Sequence, residues 1–287
     1  MPRHASPTLT RRLAGPARRT LLSLVDGAGR ATAPARALPD FLVCGAQRCG
    51  TTSLFKALSS HPEVVGPVLR KGVHYFDTGY DRGPVWYRSH FPLRALLRGR
   101  KVFESSPYYL FHPLAAERIA RDLPEVRVVV VLRDPVERAF SAHAHESARG
   151  FETEPLRRAL ELEESRLAGE EDKLVADPSY RSHSHQHHGY VARGHYIDQL
   201  LRLERHLGRE RIHVSDHADL FDGTTRELEE IERFLGLGPG PGRPPGKHNA
   251  RRRGMMPEEL RAELSERFAE SDARLARWWG RTPSWRA

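Results

Sequence analysis

The sequence predicts an α/β fold: a P-loop-like, mostly parallel sheet flanked by helices in three layers. Three observations carry this. The apolar run Phe41 to Cys44 breaks at Gly45, a short loop follows, and a helical pattern begins at Thr51; this strand–loop–helix order aims backbone N–H groups at a phosphate. Gly45 and Gly50 have the GxxxxG spacing of a phosphate-cradling loop. Val126 to Leu132 is a continuous β-branched run, the pattern of a parallel strand covered on both faces.

The remaining elements follow in order. The strand at 41–44 leads to a helix at 51–59, which stops at the turn Ser60-His61-Pro62. A strand is predicted at 64–68, then an aromatic loop at 71–77 and a short helix at 86–91. A strand at 101–104 precedes an amphipathic helix at 113–123, opened by Pro113 in its first turn. The buried strand 126–132 feeds a helix from Pro135 to about Arg149. A charged helix spans 154–167, and 169–189 reads as polar and irregular. Apolar spacing gives a helix at 196–207, then a strand at 211–215. Residues 222–235 hold an acidic helix capped by Thr224 or Thr225. A Pro/Gly loop at 236–246 precedes the closing helix 257–279, whose Trp278 and Trp279 read as core. Residues 1–38 are rich in Arg, Ala and Pro and read as a disordered basic tail with a short helix around Thr20 to Val25; the folded domain is 39–287.

Composition narrows the class. A chain of 287 residues suits one α/β domain or two small ones, and 39% hydrophobic with 29% charged residues is globular. The net charge of +9 favours anionic ligands or partners. The two cysteines, Cys44 and Cys49, are too close in sequence to staple distant elements, which favours a reducing compartment. No apolar stretch approaches the ~20 residues of a membrane span, and Leu21 to Val25 is too short for a secretory core. A cytoplasmic protein is the expectation.

The loop departs from a nucleotide triphosphatase. Thr51-Thr52 stands where such an enzyme carries Lys followed by Ser or Thr, and a basic residue, Arg48, lies inside the loop. The loop suits a phosphate but not a conventional Mg-ATP. The second strand ends in Arg133-Asp-Pro-Val-Glu-Arg-Ala-Phe-Ser141. Together the two segments resemble the 3′-phosphoadenosine 5′-phosphosulfate (PAPS)-dependent sulfotransferases, particularly the heparan sulfate type. Arg193 to Leu200, Leu220-Phe221, Phe234 to Leu237 and the closing Leu275 to Gly280 with Trp285 extend the likeness over roughly residues 40–287.

The resemblance implies a set of roles. Arg48, Cys49, Gly50, Thr51, Thr52 and Ser53 would hold the 5′-phosphosulfate, with Arg48 neutralising charge on the leaving phosphate. Arg133 and Ser141 would hold the 3′-phosphate, where Arg133 could instead pair with Asp134 or Glu137; Arg138 reads as a surface residue. Lys247, Arg251, Arg252 and Arg253 follow the Pro/Gly loop, in the region where relatives close a basic loop over the nucleotide. The product would be PAP, and no metal is expected. The family's catalytic glutamate is replaced by Gly72. His74 and Glu104 are the candidate bases, with His74 alternatively a packing residue, and Lys71 could place a positive charge near the sulfonate. His183, His185, His187 and His188 read as a flexible acceptor-side loop, which could supply the base, rather than a metal site. The acceptor would be a hydroxyl, or in second place an amine, of a glycan, glycolipid or small metabolite, without nucleic acid. A P-loop kinase, a non-catalytic basic nucleic-acid-binding protein and a sulfotransferase fold that has lost activity are the rival readings.

Overall fold

The computed structural model describes residues 27, 29–68, 71–246 and 255–287. Its strands are β1 (Phe41–Gly45), β2 (Val64–Val65), β3 (Lys101–Ser105), β4 (Arg127–Leu132) and β5 (Ile212–Asp216). They form one sheet in the order β2-β3-β1-β4-β5, and every neighbouring pair is parallel. β1 is buried along its length and β4 everywhere but Arg127. Both faces are covered, so these strands carry continuous apolar runs rather than alternation.

The helices are α1 (Thr51–Ser59), α2 (Gly83–Ser89), α3 (Ala115–Asp122), α4 (Pro135–Ser147), α5 (Leu156–Leu167), α6 (Glu170–Ala176), α7 (His183–His187), α8 (Tyr196–Leu207), α9 (His217–Leu220), α10 (Arg226–Leu235) and α11 (Glu258–Trp279). α8 buries Tyr196, Ile197, Leu200, Leu203 and Leu207, the stripe of a 3.6-residue period. It packs on α3 and α11. A second cluster joins α4, α5 and α11 through Val136, Ala139, Leu160, Leu264 and Phe268.

Several local expectations are corrected. The strand predicted at 64–68 shrinks to two residues, because Gly66-Pro67 ends the ladder. The stretch 169–189 contains α6 and α7. Glu170, Glu171 and Asp172 sit in the first turn of α6, where the helix dipole favours acids. Ser182 caps α7, its Oγ accepting from the His185 N–H at 2.9 Å. Thr225 is the N-cap of α10, as expected, but its hydroxyl donates to the Glu229 carboxylate at 2.6 Å, and it is the Thr224 hydroxyl that accepts from the Arg226 N–H, at 3.4 Å. Residues 33–37, grouped above with the tail, pack on the domain. Ala33 and Ala37 are buried, and Arg36 donates to the Phe91 carbonyl at 2.6 Å. The helix expected at 20–25 lies outside the described residues. Trp278 and Trp279 lie against the core at its edge, with the Trp278 indole N–H on Glu204 at 2.6 Å.

Asp216 ties the C-terminus to the sheet. It ends β5, caps α9 through the Ala218 N–H at 2.9 Å, and accepts from both the N–H and the hydroxyl of Ser284 at 2.9 Å. Asp216→Ala removes a helix cap and the tie to Ser284, whose donors water can reach, and is expected to lower unfolding free energy by about 1–2 kcal/mol in a denaturant titration. An unchanged midpoint would show that water replaces the carboxylate there.

Candidate active site

The loop after β1 curls through left-handed backbone at Arg48 (φ 70°) and Gly50 (φ 101°). Gly50 has no alternative. Besides its φ, an added Cβ would lie 2.7 Å from the Phe221 ring. Gly50 is the N-cap of α1, so the first-turn N–H groups of that helix open toward the loop. Two expected backbone donors are used internally: the Cys49 N–H bonds to Ala46 O at 3.2 Å and the Ser53 N–H to Gly50 O at 2.9 Å. The Cys49 thiol is buried 3.7 Å from Tyr196 Oη. Burial pushes its pKa up, against the nearby Arg138, Arg133 and Arg48, so it is not a thiolate nucleophile.

β4 delivers its own segment beside this loop. Arg48 Nε donates to Ser141 Oγ at 3.1 Å, and Arg48 Nη1 lies 3.5 Å from His145 Nδ1. The expected partners of two different phosphates are thus in contact. Asp134 caps α4 through the Val136 N–H at 2.9 Å. Arg133 pairs with Glu137 at 3.1 Å, and Glu137 also receives Arg261 from α11. The Arg133 carbonyl accepts the Tyr196 hydroxyl at 2.8 Å. Arg138, expected at the surface, is fully buried and donates to the Tyr190 carbonyl. Its face of α4 turns inward, toward Glu163 and Tyr196, because α5 and α8 cover it. Lys247, Arg251 and Arg252 lie outside the described residues, as does Arg253.

The segment Lys71–Asp77 crosses from the loop to the end of β3. Lys71 Nζ lies 3.0 Å from Thr52 Oγ1, 3.4 Å from Thr51 Oγ1 and 5.7 Å from the centre of the Phe55 ring. Burial lowers its ammonium pKa from the ordinary 10.5 to about 7. Three residues on, His74 takes positive φ (58°), and its Nδ1 lies 2.8 Å from Asp77 Oδ2. A carboxylate only accepts, so Nδ1 carries the proton and the lone pair of the neutral ring is on Nε2. The His74 side chain is 41% exposed while Asp77 is fully buried. Burial pushes the Asp77 carboxyl up, but the His74 ring, the Thr78 N–H and His112 outweigh it and hold it below the ordinary value. Gly72 takes left-handed backbone (φ 77°), which disfavours other residues, and a Cβ there would lie 3.2 Å from His74 Nε2, close enough that the ring would have to shift by a few tenths of an ångström.

Glu104 is corrected as a base. Its Oε1 accepts from the Val73 N–H (3.0 Å), Ser106 Oγ (2.5 Å) and Tyr109 Oη (2.8 Å), and Oε2 accepts from Tyr87 Oη (2.8 Å). It is wholly buried, which raises its pKa against those donors. It pins the segment instead: Ser106, bound to it, also accepts the His74 N–H at 3.1 Å. The histidine cluster is likewise ordered. His185 is buried, 2.7 Å from Tyr108 Oη and stacked on Phe111. Burial, and then Arg193 and other cations, push its pKa down to about 2, so it does not serve as a base. His187 meets Glu146 at 3.0 Å and His188 meets the Phe151 carbonyl at 2.9 Å. Among the described residues no group of three or more His, Cys, Asp or Glu is arranged to hold a metal.

The sequence reading missed two supports. Asp77 was legible only as an acid three residues after His74. Arg193 is buried between the Tyr108 and Phe111 rings, each 4.8 Å away, and bonds to Gln47 Oε1 at 2.8 Å. Gln47 Nε2 in turn donates to Glu146 Oε1 at 3.2 Å. This chain fixes the loop from below.

The donors at the loop are cations and hydroxyls (Arg48, Lys71, Thr51, Thr52, Ser141), a set that fits an anionic nucleotide. Comparison with known proteins agrees. The family model described as the sulfotransferase domain matches residues 38–245. The crystal structure of a sulfotransferase from Alicyclobacillus acidocaldarius superposes with TM-score 0.71 at 30% identity, covering 88% of this chain and all of that one. A membrane-associated sulfotransferase of Dictyostelium discoideum is 26% identical over 86% of this chain and 66% of its own length. The bovine bifunctional heparan sulfate N-deacetylase/N-sulfotransferase 2 is 28% identical over 70% of this chain and 22% of its own length. The chain thus spans between about a fifth and two thirds of these two curated relatives. It belongs to the PAPS-dependent sulfotransferase family. No helix among the described residues is long and apolar enough to cross a membrane.

Glu104→Gln removes a charge-assisted network and is expected to lower stability by about 1.5–3 kcal/mol in denaturant unfolding, with PAP affinity retained in calorimetry. Full stability combined with lost turnover would return Glu104 to the role of base.

Proposed function

We propose that the chain transfers a sulfonate from PAPS to a hydroxyl of a glycan, glycolipid or small metabolite. The observation that carries this is the convergence of Arg48, Ser141, Lys71, Thr51 and Thr52 on one loop beside an Asp-supported histidine. The donor nucleotide supplies an activated sulfonate on a good leaving phosphate. Thr51, Thr52 and the first turn of α1 orient that phosphate, and Arg48 offsets the charge it gains. Ser141 and Arg133 serve the nucleotide's other phosphate. For Arg133 this requires exchanging or sharing its bond to Glu137, which Arg261 keeps compensated.

His74 takes the acceptor's proton on Nε2, and Asp77 holds the ring and stabilises the imidazolium. The resemblance implies a glutamate at position 72, where this chain carries glycine, and His74 is the titratable side chain that remains there. A human heparan sulfate glucosamine 3-O-sulfotransferase 6 is 37% identical over 43% of this chain. That supports a sugar hydroxyl as the acceptor.

Four measurements test the proposal. Incubation with PAPS and candidate acceptors should add one sulfonate by mass spectrometry; ATP turnover without PAPS would favour a kinase instead. Arg133→Ala should weaken PAP binding about tenfold or more by calorimetry, the scale of one charge-assisted bond, and unchanged affinity would remove the assignment. Arg48→Ala should slow transfer more than it weakens PAP binding. His74→Ala should lower kcat about 10²–10⁴-fold with PAP affinity unchanged, whereas wild-type turnover would exclude it as the base.

A further inference from the structure

The cation inside the loop is an arginine, Arg48, which leaves one chemical requirement unmet. As the sulfur–oxygen bond breaks, its electron pair stays on the oxygen of the departing 5′-phosphate. A guanidinium with pKa above 12 stabilises that charge but does not give up a proton near neutral pH. Arg48 is moreover turned toward Ser141 and His145. Another group meets the requirement. Lys71 reaches the loop from the opposite side, through the segment that also carries His74, and its ammonium touches both threonine hydroxyls of the first helical turn.

We propose that Lys71 is the general acid of the reaction, donating a proton from Nζ to the bridging oxygen of the leaving phosphate. The proposal rests on the loop holding the 5′-phosphosulfate. The balance is complete: the acceptor oxygen bonds to sulfur, its proton passes to His74 Nε2, the bond from sulfur to the phosphate oxygen breaks, and the Lys71 proton goes to that oxygen. Lys71 ends neutral and His74 ends charged. Solvent then resets both.

Geometry and acidity agree. If Thr51 and Thr52 donate to the phosphate, an ammonium bonded to both hydroxyls lies about one further hydrogen-bond length from its oxygens. Burial against the Phe55 ring and those hydroxyls brings the lysine to about 7, and burial is the cause of that shift. A phosphate monoester takes up its second proton with a pKa of about 6. Donor and recipient are therefore matched near neutrality, the condition under which acid catalysis is most effective.

The sign of the coupling gives a test without turnover. Above about pH 7 the lysine of the nucleotide-free protein is mostly neutral, and an anion beside it raises its pKa. PAP binding at pH 8 must therefore take up protons, and affinity must fall as pH rises above 7. Calorimetry in buffers of different ionisation enthalpy counts those protons. The wild-type protein should take up a substantial fraction of one proton. Lys71→Arg should bind PAP within about threefold of wild type, lose that uptake, and lose kcat about 10²–10⁴-fold. Lys71→Met should lose the uptake as well, and bind PAP more weakly. Thermal melts establish that both variants are folded; if one is not, the other carries the comparison. Equal proton uptake in wild type and Lys71→Arg, or wild-type kcat in Lys71→Arg, would overturn the assignment. A wild-type protein that fails to bind PAP would instead overturn the reading of the loop, and this inference with it.

Discussion

The hydrogen bond from Arg48 to Ser141 joins residues 93 apart in sequence, and it exists because β1 and β4 are parallel neighbours with Gly45 opposite Val130. In a parallel sheet the carboxyl ends of adjacent strands lie on one edge, so the loops leaving them share a crevice. β3 on the other side of β1 ends at the same edge and brings Glu104 to Ser106. Three strand ends therefore supply the anion loop, the second phosphate segment and the support for His74. A slip of one residue in the β1–β4 register would invert the faces of one strand and separate Arg48 from its partner.

Buried polar groups hold this crevice in shape. Arg193, Gln47 and Glu146 form a continuous chain beneath the loop, and Glu104 collects four donors beneath the His74 segment. Such groups are costly to bury unless matched. They are nearly all matched here, and the carbonyls of His185 and Gln186 absorb two more bonds from Arg193. The site's charged side chains thus stand on a rigid polar floor rather than on mobile loops. That rigidity lets Arg48 and His74 keep left-handed backbone at positions that are not glycine.

The sheet was legible because β-branched runs and glycine punctuation are local signals. The α1 and α8 boundaries followed directly from the apolar spacing of 51–59 and 196–207. That two anion-holding segments belong to one site was accessible through the family resemblance, but the bond from Arg48 to Ser141 was not, because the two were expected on different phosphates. Side-chain direction was not. Arg138 looked like surface because arginine usually is, and only the docking of α5 and α8 turns it inward. Glu104 looked like a base because its segment resembles a family motif that carries an acid there, while the tyrosines that saturate it come from positions 87 and 109. The histidines of 183–188 looked flexible because their partners, Tyr108, Glu146 and Phe151, are distant in sequence.

The left-handed backbone of Gly72 beside the His74 ring constrains what this position can become. Any side chain there is strained by φ 77° and must displace the imidazole by a few tenths of an ångström. Exchanging the proton acceptor for a carboxylate at 72 is therefore a change of loop conformation and not of one side chain alone.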